Sequence, residues 1–360
     1  MQKKMILKLI LLILSPLLLF GIYVVGVLIY GTFNDWKPEE KTTISIDTKH
    51  DANEKNITST DSSFTLLIWN VGYGGLGAEA DFFYDGGQMV RSTKENVGKY
   101  VNGISEFLKS NTDIDFALLQ EVDVHSKRSY YTNEYDVFSN AFNSYSSSIA
   151  LNFKVPFVPI KYFDPIGHVE SGVATYSKYT PKNATRYQFP GEFGWPTRLF
   201  NLDRCFLVSS YVLPNGKELQ IINTHNSAYD NGSMKQQEMD YLKKYLLAEY
   251  EKGNYIIVGG DWNQCAPGFK WDKFAKTPET DYLQISIKAD FMPSGWTWAY
   301  DGEVDTNRKL TEKYDASKTF TTVIDFYLLS PNLKVEEVKG IHLDFQNSDH
   351  QPVKMKCSLK

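Results

Sequence analysis

The sequence predicts a layered α/β domain carried behind one membrane-spanning helix. Two observations predict it. Twice along the chain an apolar run ends in polar residues, gives way to a stretch with helical spacing, and is followed by another apolar run with a polar end, which is the pattern of strand, helix, strand. Separately, Leu9 to Tyr30 is a 22-residue stretch without a charge, long enough to cross a bilayer as a helix. Of the 360 residues, roughly 300 remain beyond the N-terminal part, enough for one large domain or two small ones.

At 42% hydrophobic and 14% aromatic residues the bulk of the chain has material for a core, which excludes a disordered protein. The formal net charge is -5, and with Lys3, Lys4 and Lys8 set aside the remainder carries about -8. An acidic body argues against non-specific grip on nucleic acid, which needs a basic surface. Cys205, Cys265 and Cys357 are far apart and show no C-x-x-C spacing, which argues against a zinc site or a disulfide framework.

Taken in order, Lys3, Lys4 and Lys8 precede the apolar run, and Tyr23, Tyr30 and Trp36 sit towards or beyond its far end, where interfacial aromatics belong. The run is longer than the apolar part of a cleaved signal peptide and no small-x-small cleavage site follows it. The expectation is a short cytoplasmic N-terminus over residues 1–8 and an uncleaved signal anchor over 9–31, single-pass in the cell membrane. The lysine-bearing end then stays inside and the rest lies outside the cytoplasm. Residues 32–63, rich in Lys, Glu, Asp, Thr and Ser, read as a solvated linker. The domain is expected over 64–360.

Phe64 to Gly72 is strand-like and ends at Asn70 before a Gly-rich turn. Lys94 to Lys109 has Val97, Val101, Ile104 and Leu108 on one helical face, and Ile114 to Asp123 is a second strand ending in Gln120-Glu121. Aromatic residues are dense from Tyr130 to Pro165. Glu170 to Ser177 and Cys205 to Val212 read as strands, Asn215-Gly216 as a hairpin turn, and Glu218 to Asn226 as a strand delivering His225. A helix over Ser233 to Tyr250 leads to Ile256 to Asn263, where an apolar run meets two glycines and then Asp261-x-Asn263. Phe269 to Phe320 is irregular. It holds Trp271, Trp296, Trp298, Tyr300 and the run Asp305 to Arg308, either a substrate-reading loop or packing. Thr321 to Ser330 is a strand with Asp325 inside it, a carboxylate that needs a partner, and His350 in the last polar stretch, Asn347 to Val353, is a candidate.

The ordered set Trp69-Asn70, Gln120-Glu121, Thr224-His225, Gly260-Asp261-Trp262-Asn263, Ile324-Asp325 and Ser348-Asp349-His350 resembles the endonuclease/exonuclease/phosphatase superfamily over about residues 64 to 358. The resemblance implies a four-layered α/β sandwich, two packed mixed sheets flanked by helices, with the site at one edge of both. It implies that Glu121, Asn70 and Asp349 hold Mg²⁺, with Mn²⁺ an alternative. It further implies that Asp261 directs a water, Asn263 binds phosphate, His350 with Asp325 stabilises the transition state, and His225 assists, paired with Glu170. Asn226, Asn307 and Arg308 are the expected substrate contacts. Oxygen and amide ligands suit a hard ion better than zinc. The expected function is a membrane-tethered metal-dependent phosphoesterase acting on a phosphodiester or phosphomonoester, with nucleic acid disfavoured by charge. The alternative is a non-catalytic extracytoplasmic binding module on the same fold.

Overall fold

Along the strand that begins the domain, Leu66 and Ile68 face one side and Leu67 and Trp69 the other, and all four are buried. A strand covered on both faces belongs to an inner layer, because successive side chains alternate. A computed structural model describes residues 2–48, 55–228, 232–274 and 285–360, with the side chains of 2–12, 271 and 272 outside that description. The first half comprises α1 (Gln2–Phe33), β1 (Lys41–Ile44), β2 (Asp47–Thr48), β3 (Ser63–Asn70), α2 (Lys94–Ser110), β4 (Phe116–Asp123), α3 (Glu134–Ala141), β5 (Ser146–Val158), β6 (Gly167–Ser177) and β7 (Asn183–Gln188). The second comprises β8 (Cys205–Val212), β9 (Glu218–His225), α4 (Ser233–Glu251), β10 (Tyr255–Asp261), β11 (Thr297–Ala299), β12 (Asn307–Arg308), β13 (Thr321–Thr322), β14 (Asp325–Leu329), β15 (Leu333–Gly340) and β16 (Val353–Leu359).

The strands form two seven-stranded mixed sheets, ordered β1-β7-β8-β9-β10-β14-β11 and β15-β16-β3-β4-β6-β5-β2, beside a small β12-β13 pair. Each large sheet has one parallel pair, β9 with β10 and β3 with β4, joined through α4 and α2 respectively. These are the two expected strand-helix-strand units. Leu66, Ile68, Phe116 and Leu118 meet Ile221, Ile257, Tyr327 and Leu329 between the sheets. Val97, Val101, Ile104 and Leu108 of α2 cover Leu67, Trp69, Ala117 and Leu119 on one outer face, and Met239, Leu242 and Leu246 of α4 cover Ile222, Ile256 and Val258 on the other. The result is the four-layered α/β sandwich. Thr93 caps α2 by accepting from the Asn96 N–H.

Two expectations change and one open alternative closes. The stretch expected as a linker contributes β1, paired with β7, and β2, paired with β5, so it is stitched to an edge of each sheet. Edge pairing uses backbone groups and needs no apolar side chains, which is why its composition hid it. Residues 49–54 of that stretch lie outside the described residues. The strand expected over Thr321 to Ser330 is broken: the Thr306 hydroxyl accepts from the Ile324 and Asp325 N–H groups, and Trp262 N–H donates to Ile324 O. Trp296 and Trp298 pack against Tyr250 and Trp262, so packing is the reading that holds for them, while the Trp271 side chain lies outside the described residues.

All three cysteines are buried free thiols. α1 holds the apolar stretch Ile13–Phe33, of mean hydropathy 2.3, which is long and apolar enough to cross a membrane.

The parallel pairing of β9 with β10 leaves no room at Gly260. Its φ is +147° and a Cβ there would lie 2.0 Å from Thr224 O. Gly260→Ala is expected to destabilise the protein by roughly 2–4 kcal/mol. Thermal unfolding of the detergent-solubilised chain checks this, and an unchanged melting temperature counts against the packing described.

Candidate active site

Three neighbouring strands of one sheet end side by side. Register places His225 of β9 beside Asp261 of β10, and Asp261 opposite Asp325 of β14. His350, just ahead of β16, is held by its backbone: its N–H donates to the Ser348 hydroxyl, and its O accepts from the Trp69 indole N–H. Its Nδ1 lies 2.9 Å from Asp325 Oδ2, and Nε2 lies 3.0 Å from the Asn307 amide and 3.8 Å from Asp261 Oδ2. Burial opposes the charged ring, but Asp325 and then Asp261 outweigh it and push the His350 pKa up to about 10. The imidazolium donates from both nitrogens, so Asn307, whose Nδ2 stands against Nε2, has to turn its amide oxygen there to pair with the charged ring.

The other sheet supplies Asn70 from the end of β3 and Glu121 from β4. Glu121 sits in a β-bulge, where the pairing of β4 with β6 slips between Leu119 and Val122, and its φ is +56°. The bulge takes the Glu121 side chain out of strand alternation and turns it to the site. The Asn70 Nδ2 donates to Asp261 Oδ2 at 3.0 Å and to Glu121 Oε1 at 3.3 Å, while its Oδ1 accepts from the Gly72 N–H. Asp349 packs on this turn: a Cβ at Gly72, whose φ is +52°, would meet Asp349 Oδ1 at 2.7 Å. Burial first, with Glu121 adding to it and His350 opposing, lifts the Asp349 pKa to about 7, and burial lifts Asp261 to about 6 against the pull of His350. Asp261, Asp325 and His350 each place a ligand-capable atom within 4.8 Å of the others. A ring committed to Asp325 and held protonated has no lone pair for a metal, which favours reading that trio as an acid–base group.

Asn263, with φ +49°, turns back so that its N–H donates to Asp261 Oδ1 and its Nδ2 to Asn226 O. His225 Nε2 lies 3.5 Å from Asp261 Oδ2 and 3.9 Å from Glu121 Oε1. Burial, helped by Arg204, His350 and Arg128, holds its pKa well below the ordinary value, so the ring is neutral.

Three expected site residues point elsewhere. Glu170 is not paired with His225; it lies opposite Lys154 on β5, 3.5 Å from that ammonium and 3.9 Å from His168, and His225 Nδ1 is buried without a partner among the described residues. Asn226 is fully buried, with its Oδ1 accepting from Thr224 and its Nδ2 facing Glu238 and Met239, so its side chain is structural. Arg308 is buried too, its Nη2 donating to the carbonyls of Leu76, Gly77 and Ala80, and it organises that loop instead of meeting substrate. Asn226 and Arg308 spend their hydrogen bonds on the protein, and Glu170 faces the cations of its own sheet.

Sequence reasoning missed two arginines. Arg128 forms a fork on buried Asp123 and stacks 3.8 Å over the Tyr73 ring, close enough to Glu121 for their charges to interact. Arg204, just ahead of β8, has a buried Nη1 without a partner among the described residues, near His225. The run Arg128-Ser129-Tyr130 directly after the Gln120-Glu121 strand was the available signal for the first; Arg204 had none.

Two outcomes test this geometry. Asp325→Asn removes the anion that favours the imidazolium, so the His350 pKa falls from about 10 towards the ordinary histidine range, read by ¹⁵N NMR of the ring. Glu170→Gln leaves the His225 pKa where it is; a displaced His225 titration in that variant means the two side chains do interact.

A family model described as Endonuclease/Exonuclease/phosphatase family matches residues 67–350. Comparison with curated proteins gives no match. Among solved structures, the chain is similar to an endonuclease/exonuclease/phosphatase from Bacteroides vulgatus at 14% identity and a TM-score of 0.52, covering 83% of this chain and 100% of that one. It is similar to one from Leptotrichia buccalis at 15% identity and a TM-score of 0.52, covering 82% and 100%. The human Nocturnin catalytic domain with bound sulfate anion gives 14% identity and a TM-score of 0.52, covering 88% and 97%. At such identities the likeness speaks for the fold, and the family match spans most of the domain that bears the site. The chain belongs to the endonuclease/exonuclease/phosphatase family.

Proposed function

We propose that this protein is a divalent-cation-dependent phosphoesterase that cleaves a phosphodiester or phosphomonoester by attack of water. The observation that carries the reading is the meeting of Asn70, Glu121, His225, Asp261, Asn263, Asp325, Asp349 and His350 at one edge of both sheets.

The residues fit a hard cation. Glu121 and Asp349 are carboxylates close enough for one to raise the pKa of the other, and both offer only oxygen. They are the residues that would hold Mg²⁺ or Mn²⁺, with Asn70 orienting Glu121 and Asp261 through its Nδ2. When bound, the ion supplies positive charge against the phosphate oxygens. The protein's own groups do the rest. Asp261, oriented by Asn70 and the Asn263 N–H, directs a water and takes its proton as the new P–O bond forms. The ester P–O bond breaks, and the departing oxygen takes a proton from solvent. His350, kept positive by Asp325, donates Nε2–H to a phosphoryl oxygen as charge builds there. The second Nδ2 hydrogen of Asn263 remains for phosphate after the bond to Asn226 O.

The full chain in detergent, assayed with Mg²⁺ and then EDTA on bis-p-nitrophenyl phosphate, p-nitrophenyl phosphate, plasmid DNA, sphingomyelin and an inositol phosphate, is expected to show EDTA-sensitive turnover. Failure on all of them, with Mn²⁺ also tried, moves the reading to a binding module. His350→Ala and Asp261→Asn are each expected to slow turnover by about 10²–10⁴-fold with an unchanged circular dichroism spectrum. A near-normal rate in either variant removes that residue from the mechanism. At saturating Mg²⁺, turnover rises as pH climbs through about 6, where Asp261 becomes the carboxylate that accepts a proton, and falls as His350 loses its charge near about 10. A profile flat between pH 5 and 7 rules out Asp261 as the base.

A further inference from the structure

We infer that the catalytic edge is set against a lipid bilayer and that the ester cleaved is the headgroup phosphate of a membrane lipid, an inference that rests on the phosphoesterase reading and supplies its substrate class. The outer half of α1 lies against two loops of the domain. Tyr162 packs on Phe20 and Tyr23, with ring centroids 5.4 Å and 5.2 Å apart. Gly31 sits against Leu199 and Phe200, Trp195 donates to the Thr32 hydroxyl at 3.2 Å, and Arg198 pairs with Asp35 at 3.1 Å. The helix is therefore mounted on the domain along one flank.

Topology places both loops at the catalytic edge. β6 runs antiparallel to β4, pairing Ser171 with Asp123, and the β5–β6 ribbon continues past that pair to Val158–Gly167, so the loop 159–166 projects beyond the edge that carries Glu121. β8 runs antiparallel to β9, pairing Phe206 with Thr224, so the loop 189–204 between β7 and β8 leaves beside His225 and Asp261. Phe163 at the first loop's tip is 95% exposed, and Trp195 in the second keeps 59% of its surface in the open despite its bond to Thr32. The first loop is held in that pose. Arg91 and Lys127 donate to Pro165 O at 3.2 Å and 3.0 Å, Arg91 also pairs with Asp164, and Lys161 donates to Gln88 O at 2.7 Å.

Depth identifies the occupant. Tyr162 meets the helix at Phe20 and Tyr23, which lie ~15–20 Å before its end at Phe33 at 1.5 Å per residue. A hydrocarbon core is ~30 Å thick, so a helix that spans through this stretch carries the Tyr162–Phe163 tip into the adjoining leaflet. The exposed faces of Leu17, Leu18, Ile22 and Val25 beside it have the same need for an apolar medium. Trp195, level with the helix end at Thr32, stands where headgroup-boundary aromatics belong. A site at that edge then opens at the depth where lipid phosphates lie. A long acidic polymer such as DNA has to approach the same edge past the membrane.

The test uses the full chain in proteoliposomes of phosphatidylcholine, phosphatidylglycerol and sphingomyelin. The native cysteines are buried, so a nitroxide placed through Phe163→Cys labels that site. Its relaxation by oxygen, with protection from a water-soluble nickel chelate, is expected; the reverse pattern overturns the inference. In parallel, Phe163→Ser combined with Trp195→Ser is expected to slow headgroup release from the vesicles by about tenfold while leaving hydrolysis of bis-p-nitrophenyl phosphate unchanged. Equal effects on both substrates, or a wild-type protein that cleaves the soluble ester and no vesicle lipid, overturn the inference. A wild type that cleaves neither defeats the phosphoesterase reading instead, and the nitroxide still reports whether the edge meets the membrane.

Discussion

The hydrogen bond from the Asn70 amide to Asp261 is the contact on which the site depends, because it joins the end of one sheet to the end of the other. Two stacked sheets held only by apolar contacts have many near-equivalent registers. Here the layer behind that bond is polar. Asn223 donates to Leu119 O and Ala174 O across the gap, and Gln120 donates to Asn223 Oδ1. All of these groups are buried, and an orphaned buried donor costs about 1–3 kcal/mol. Sliding one sheet past the other would orphan several together, so the register is discrete. Side chains from strands far apart in sequence then meet within hydrogen-bonding distance.

Within that frame the charges are unequal. Asp261, Asp325 and Asp349 act on the one imidazolium, His350, Glu121 lies 3.9 Å from the neutral His225, and the charges of Arg128 and Arg204 are felt there too. An anionic phosphate approaching this group meets net negative charge unless a cation is there first. The carboxylates keep His350 protonated over the physiological range, and burial, opposed by His350, lifts Asp261 to about 6. Carboxylate neighbours thus set the charge of His350 while burial sets the proton affinity of Asp261, two causes acting within one site.

Much of this was legible in the sequence. β3, β9 and β10 announce themselves as apolar runs that end in polar residues, and Asp325 stands out as a carboxylate inside such a run. Glu121 was found by position, but its reach into the site comes from a bulge, and no residue type encodes that slip between Leu119 and Val122. Asn226, Arg308 and Glu170 were misread for a common reason. A polar side chain that bonds to carbonyls or to a strand neighbour looks, in sequence, like one that faces solvent. β1 and β2 were hidden because edge strands are built from backbone groups, and β15 because its side chains are largely exposed.

The pairing of β1 with β7 and β2 with β5 bears on how the domain travels. A free tether lets its cargo wander through a hemisphere and dilutes it over that volume. Here the chain is sewn into one sheet at Lys41 and into the other at Asp47, soon after the helix ends at Phe33, and the helix leans on the body besides. The catalytic edge keeps one attitude, like a plough fixed to its beam. For a chain that α1 holds in a membrane, encounters are counted per area swept by lateral diffusion, and crowding in the plane sets the pace more than bulk concentration does.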